Sequence, residues 1–85
     1  MRLYMQLIPT ESDRVPRFVD LHLQEDLLEG WTLVKETGYQ GSAGRISHHH
    51  YDNHESAVSA LMIERDKRTA KGYRTVFIQG QGVGT

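Results

Sequence analysis

The stretch Asp52-Asn53-His54-Glu55-Ser56-Ala57-Val58-Ser59-Ala60-Leu61-Met62-Ile63-Glu64-Arg65-Asp66-Lys67-Arg68-Thr69-Ala70-Lys71-Gly72 decides the fold. Ala57, Val58, Leu61 and Met62 recur at i, i+1, i+4 and i+5, the spacing of one helical face, and Arg65 and Thr69 continue it. Ile63 falls off that face and is expected in solvent. Asp52 is placed to cap the start, with Glu55 three residues on in the capping-box position. Lys67, Arg68 and Lys71 occupy the last turns, where cations suit the negative end of the helix dipole. Gly72 supplies the left-handed stop.

Upstream of the helix the apolar period changes to two. Leu3, Met5 and Leu7 alternate with Tyr4, Gln6 and Ile8; Val19, Leu21 and Leu23 alternate with Asp20, His22 and Gln24; Trp31, Leu33 and Lys35 alternate with Thr32 and Val34. Arg45–Tyr51 is a fourth candidate strand, and Arg74–Ile78 a short edge strand after the helix. Pro9–Pro16 reads as a polar loop, and Leu27 and Leu28 are expected to plug one edge of the core. Strands followed by one long helix predict an α+β domain: a twisted antiparallel sheet of four or five strands with one long helix packed on it. Residues 1–74 form the single domain, and 75–85 the short edge strand and a flexible Gly-rich tail.

A chain of 85 residues has room for one small core. Its 38% hydrophobic and 25% charged residues fit a soluble globule, and no apolar run approaches a membrane span. Cysteine is absent, which excludes a disulfide framework, a thiol nucleophile and a Cys-ligated zinc. With no apolar leader segment at the start, a cytoplasmic location is expected. The formal net charge is −1, so any attraction to nucleic acid must come from a local patch. No activated nucleophile is identifiable, and a chain this short has little wall for a cleft. A binding module is expected, not an enzyme, with no cofactor.

Phe18–Arg74 resembles the WGR domain family, known from poly(ADP-ribose) polymerases and from small bacterial proteins. The resemblance is carried by Val19-Asp20-Leu21-His22-Leu23, then Asp26-Leu27-Leu28-Glu29-Gly30-Trp31-Thr32-Leu33-Val34-Lys35-Glu36, then Gly38-Tyr39-Gln40-Gly41-Ser42-Ala43-Gly44-Arg45. A helix with Ala57 and Leu61 and the closing Lys71-Gly72-Tyr73-Arg74 complete it, and Arg2–Ile8 looks like the first strand of the stand-alone bacterial members. Where the family has Trp-Gly-Arg, this chain has Thr37-Gly38-Tyr39, so that tryptophan and arginine are not carried over. The resemblance implies this fold and weak binding of nucleic acid, with DNA as the expected partner. The altered motif keeps open a protein-interaction module that has lost DNA binding.

Three groups of residues are candidates for chemistry. The glycines at 38, 41 and 44 either build a hairpin turn or let backbone N–H groups approach a phosphate. Beside them, Tyr39 offers a ring for stacking, and Lys35 and Arg45 could reach phosphate oxygens. The cluster Arg65, Lys67, Arg68, Lys71 and Arg74 is half of all basic residues. It is either a phosphate-binding face or a solvated helix end. Reversing Arg68 and Lys71 together is expected to leave stability almost untouched. His48, His49, His50 and His54 lie within seven positions, as an exposed strand or as metal ligands; no tight structural metal is expected. The nucleic-acid-binding set is thus Lys35, Tyr39, Arg45, Lys67, Arg68, Lys71 and Arg74. Oligomeric state is not legible.

Overall fold

Five strands and one helix follow in the order β1 (Arg2–Leu7), β2 (Arg17–Glu25), β3 (Trp31–Tyr39), β4 (Arg45–Tyr51), α1 (His54–Ala70) and β5 (Arg74–Gln79). The structure, a computed structural model, describes residues 1–11 and 14–80. The tail expected at the C-terminus and the middle of the Pro9–Pro16 loop lie outside the described residues. The strands form one antiparallel sheet in the order β4-β3-β2-β1-β5, so β4 and β5 are its edges. This is the expected α+β fold with its fifth strand present. β5 pairs with β1 along Arg2–Gln6, which extends the sheet past residue 74 to Gln79.

The alternation read from sequence sets the register. Leu3 lies opposite Leu21, Met5 opposite Val19, and Leu23 opposite Leu33, so all six point to one side. There α1 packs across β2, β3 and β4 with Ala57 and Leu61, and these eight residues with Tyr73 form the core. Trp31, Tyr51 and Met62 pack around it. The opposite face carries its own small cluster. Phe18 is covered by a stacked Tyr4 with ring centroids 5.8 Å apart. Gln40 folds over both, its Oε1 accepting from the Tyr4 hydroxyl at 3.0 Å and from Gln6 Nε2 at 2.8 Å.

The helix ends differ from one another in how well sequence anticipates them. Asn53, not Asp52, is the N-cap: its Oδ1 accepts from Ser56 N–H at 2.8 Å. Asp52 instead lies 3.3 Å from His50 Nε2, so the cap moves one residue on and Glu55 is out of capping-box register. At the other end Gly72 takes φ 101°, Gly72 N–H donates to Thr69 O, and Tyr73 N–H donates to Arg68 O. Those two bonds are a Schellman stop, with Tyr73 folded under Arg68.

Two expectations are corrected. Leu27 and Leu28 do not plug the core; they are 101% and 73% exposed. Asp26 makes the turn by accepting from the N–H groups of Leu28 and Gly30 and donating its own N–H to Gly30 O, and this holds the leucines outward. A side chain on Gly30 would collide with the Tyr51 carbonyl and the His50 ring, so glycine is required where β3 begins. The buried face of α1 also continues through Glu64 and Arg68, not Arg65 and Thr69. Ile63 is exposed, as expected.

Candidate nucleic-acid interface

Strand polarity sorts the charges along the sheet. β2, β4 and β5 begin at the end where β1, β3 and α1 finish. Arg17 is opposite both Leu7 and Tyr39, Arg45 is opposite Thr37, and Arg74 is opposite Gln6. The helix delivers Lys67, Arg68 and Lys71 to the same end, where Gly72 packs beside Leu7. With Arg14 of the β1–β2 loop, seven of the chain's ten Lys and Arg collect there. The far end carries Glu25, Asp26, Glu29, Asp52 and Glu55. A chain with net charge −1 is therefore a long dipole.

Tyr39 sits within the basic end, half exposed, at the last position of β3. The Arg17 guanidinium lies over its ring at 5.4 Å from the centroid. Leu7, Pro9, Arg14, Val15, Arg17 and Tyr39 line a shallow hollow of about 200 Å³. The hollow has an aromatic wall and two guanidinium groups, which suits a ring with a neighbouring anion. Arg14 is loosely tied to Glu11 at 3.6 Å, with both side chains mostly in water. The loop that follows is a turn: Ser42 N–H donates to Tyr39 O, and only Gly41 of the three glycines has positive φ, at 85°.

The expected binding residues separate into two groups. Tyr39, Arg45, Lys67, Lys71 and Arg74 are exposed at the basic end. Lys35 and Arg68 are drawn inward. Lys35 lies mid-strand beneath α1, its Nζ 3.7 Å from Glu64 Oε1. Arg68 Nε donates to Glu64 Oε2 at 2.8 Å, and its side chain is only 17% exposed. Burial disfavours ionisation of Glu64, but the Arg68 hydrogen bond and the charges of Lys35, Arg68 and Lys67 outweigh it and hold the carboxyl below its usual range. Arg65 is occupied by Asp66 at 3.0 Å. Arg14 and Arg17 belong to the basic end and were not in the expected set. Their signal is topological: the start of β2 must lie beside the end of β3, hence Arg17 beside Tyr39.

The histidines do not converge. His48 is on the open face and His49 on the helix side, while His54 packs edge-on to Trp31 with centroids 4.5 Å apart. His50 is held between two carboxylates: Nδ1 is 2.6 Å from Asp26 Oδ2 and Nε2 is 3.3 Å from Asp52 Oδ1. The Asp26 hydrogen bond raises the His50 pKa, against a smaller opposing effect of burial. Burial of Asp26 is in turn outweighed by bonds from His50, the Thr32 hydroxyl and two backbone N–H groups, which lower its pKa to about 2. The pair clamps the acidic end and ties β4 to the β2–β3 turn. Among the described residues no group of three or more His, Cys, Asp or Glu is arranged to hold a metal ion, and no helix is long and apolar enough to cross a membrane.

Compared with known proteins, the chain matches no family model and has no significant similarity to a curated protein.

Proposed function

We propose that this chain is a small, non-enzymatic nucleic-acid-binding module of WGR-like type that holds the phosphate backbone, most simply of duplex DNA, against its basic end. The observation that supports this is the gathering of Arg14, Arg17, Arg45, Lys67, Lys71 and Arg74 at the end that exposes Tyr39, with Glu25, Asp26, Glu29, Asp52 and Glu55 at the other end. The resemblance to WGR domains rests on the residues quoted above and points the same way. Thr37-Gly38-Tyr39 replaces the family's motif, so an aromatic ring braced by Arg17 stands where the family has a cation. Phosphate contacts give affinity without sequence preference, so binding is expected to be weak and nonspecific.

A salt titration with labelled duplex DNA tests this. Three or four phosphate contacts give a slope of log K against log salt of about −3. Absence of binding at low salt, or an affinity indifferent to salt, rejects it. A protein-interaction module is the second reading, favoured by the fully exposed Leu27 and the largely exposed Leu28 at the acidic end. It takes precedence if DNA binding is absent and a partner is lost on Leu27→Ser with Leu28→Ser.

A further inference from the structure

β5 is an edge strand with no protection. All six of its residues are exposed, including Val76 at 58%, Phe77 at 46% and Ile78 at 61%. Its only charge is Arg74 at the first position, and it contains neither lysine nor proline, the usual devices that discourage pairing at an edge. A register shift between Tyr4 and Met5 interrupts its ladder to β1, but Phe77, Ile78 and Gln79 stay in register with Tyr4, Leu3 and Arg2. One side of the strand is thus satisfied, and among the described residues nothing pairs with the other. The second edge is different: β4 carries Arg45, His48, His49 and His50.

We propose that β5 pairs with β5 of a second copy of this chain, joining two sheets into one ten-stranded antiparallel sheet. A two-fold axis normal to the sheet and centred within Val76–Ile78 sets that apolar stretch against itself and closes the assembly at two chains. Charge argues for a second copy as the occupant. β5 starts at the basic end, beside Lys71 and Gly72, and finishes at the acidic end, where Gln79 and Glu25 line one hollow. Antiparallel pairing therefore lays the basic end of each copy alongside the acidic end of the other, so the two molecular dipoles oppose. Parallel pairing, or pairing to a uniformly basic partner, forfeits this. The shared ladder and six apolar side chains make a smaller contact than the roughly 1,600 Å² of a standard interface, so a weak, concentration-dependent dimer is expected. The basic ends remain open at opposite extremities, so dimerisation does not compete with phosphate contacts there.

Sedimentation velocity of the full chain across a concentration series tests the proposal. A shift from 9.7 kDa towards twice that mass is expected. Phe77→Lys, which sets like charges close together across the axis, should raise the dissociation constant about tenfold or more. Circular dichroism confirms that the variant is folded. The chain has no cysteine, so single substitutions give an independent readout. At least one of Phe77→Cys and Ile78→Cys should crosslink on mild oxidation, whereas Ile46→Cys on β4 should not. A monomer at every concentration overturns the proposal. So does a dimer that folded Phe77→Lys leaves intact, or crosslinking at Ile46 equal to that on β5.

Discussion

Glu64 accepts a hydrogen bond from Arg68 Nε, one helical turn further on, at 2.8 Å on the side of α1 that faces the sheet. Lys35 of β3 approaches the same carboxylate from below, so one anion neutralises cations from two elements. That arrangement converts two apparent DNA-binding residues into part of the helix–sheet junction. Glu64→Ala strands both cations, which are only 29% and 17% exposed. Loss of a fully buried partner costs about 3–5 kcal/mol, and the water reaching these groups reduces the expected cost to about 1–3 kcal/mol. In a domain of this size Tm should fall by about 4–8 °C for each kcal/mol, and thermal unfolding measures it. Glu64→Gln keeps an acceptor for Arg68 and should lose less.

Arg68→Glu therefore cannot serve as a neutral test of the basic patch, contrary to the expectation from sequence that Arg68 and Lys71 reverse without cost. It places a second carboxylate against Glu64. Arg45→Glu with Lys71→Glu is the appropriate pair, since both side chains are exposed at the basic end. DNA affinity should fall at least about tenfold and the salt slope flatten by about two units. Stability should change by under about 0.5 kcal/mol for each substitution. Paired salt titrations and melts separate the two effects.

The sheet was legible because Val19, Leu21 and Leu23 alternate with polar residues and a one-residue slip would turn all three to solvent. The helix was legible for the same kind of reason, except where a charge is buried. Helical spacing puts Glu64 on the Ala57 and Leu61 face, seven residues after Ala57, but a carboxylate there reads as polar until Lys35, twenty-nine positions earlier on another element, is known to lie against it. Leu27 and Leu28 misled because hydrophobicity says nothing about the hydrogen bonds by which Asp26 shapes their turn. The cluster at 65–74 was visible as a run, but Arg14, Arg17 and Arg45 join it only once strand directions are known.

Tyr39 distinguishes stacking from charge at the basic end. Stacking on a base contributes about 1–3 kcal/mol and responds little to salt. Tyr39→Ala should weaken DNA binding with the slope unchanged, and Tyr39→Phe should be nearly silent, since the ring is what Arg17 covers. Tyr39→Arg exchanges the ring for a cation and should steepen the slope by about one unit. Normal binding by Tyr39→Ala, measured in the same titration, removes the residue from the interface.

At the opposite end, His50 and Asp26 make stability depend on pH in two directions. Asp26 has a folded pKa of about 2, below its ordinary 3.8, so its contribution is present above 3.8 and is lost as pH falls towards 2. His50 has a folded pKa raised above its ordinary 6.5, so its contribution is complete below 6.5 and is lost as pH rises through the raised value. The pair therefore stabilises the fold most between about pH 4 and pH 6.5, and less on either side. Deprotonation need not break the 2.6 Å contact, because a neutral ring can keep its proton on Nδ1 and donate to Asp26; it removes the charge, with Asp52 facing the vacated Nε2. His50→Gln can still donate one hydrogen bond but carries no charge. Subtracting its melting curve from that of the parent across the pH range should leave a difference that is largest in the window and shrinks on the alkaline side. A difference that instead grows above pH 7 would show that the imidazole is held neutral in the folded chain. A direct NMR titration of the His50 ring reads the same proton without reference to unfolding, and its midpoint should lie above the ordinary imidazole value of 6.5.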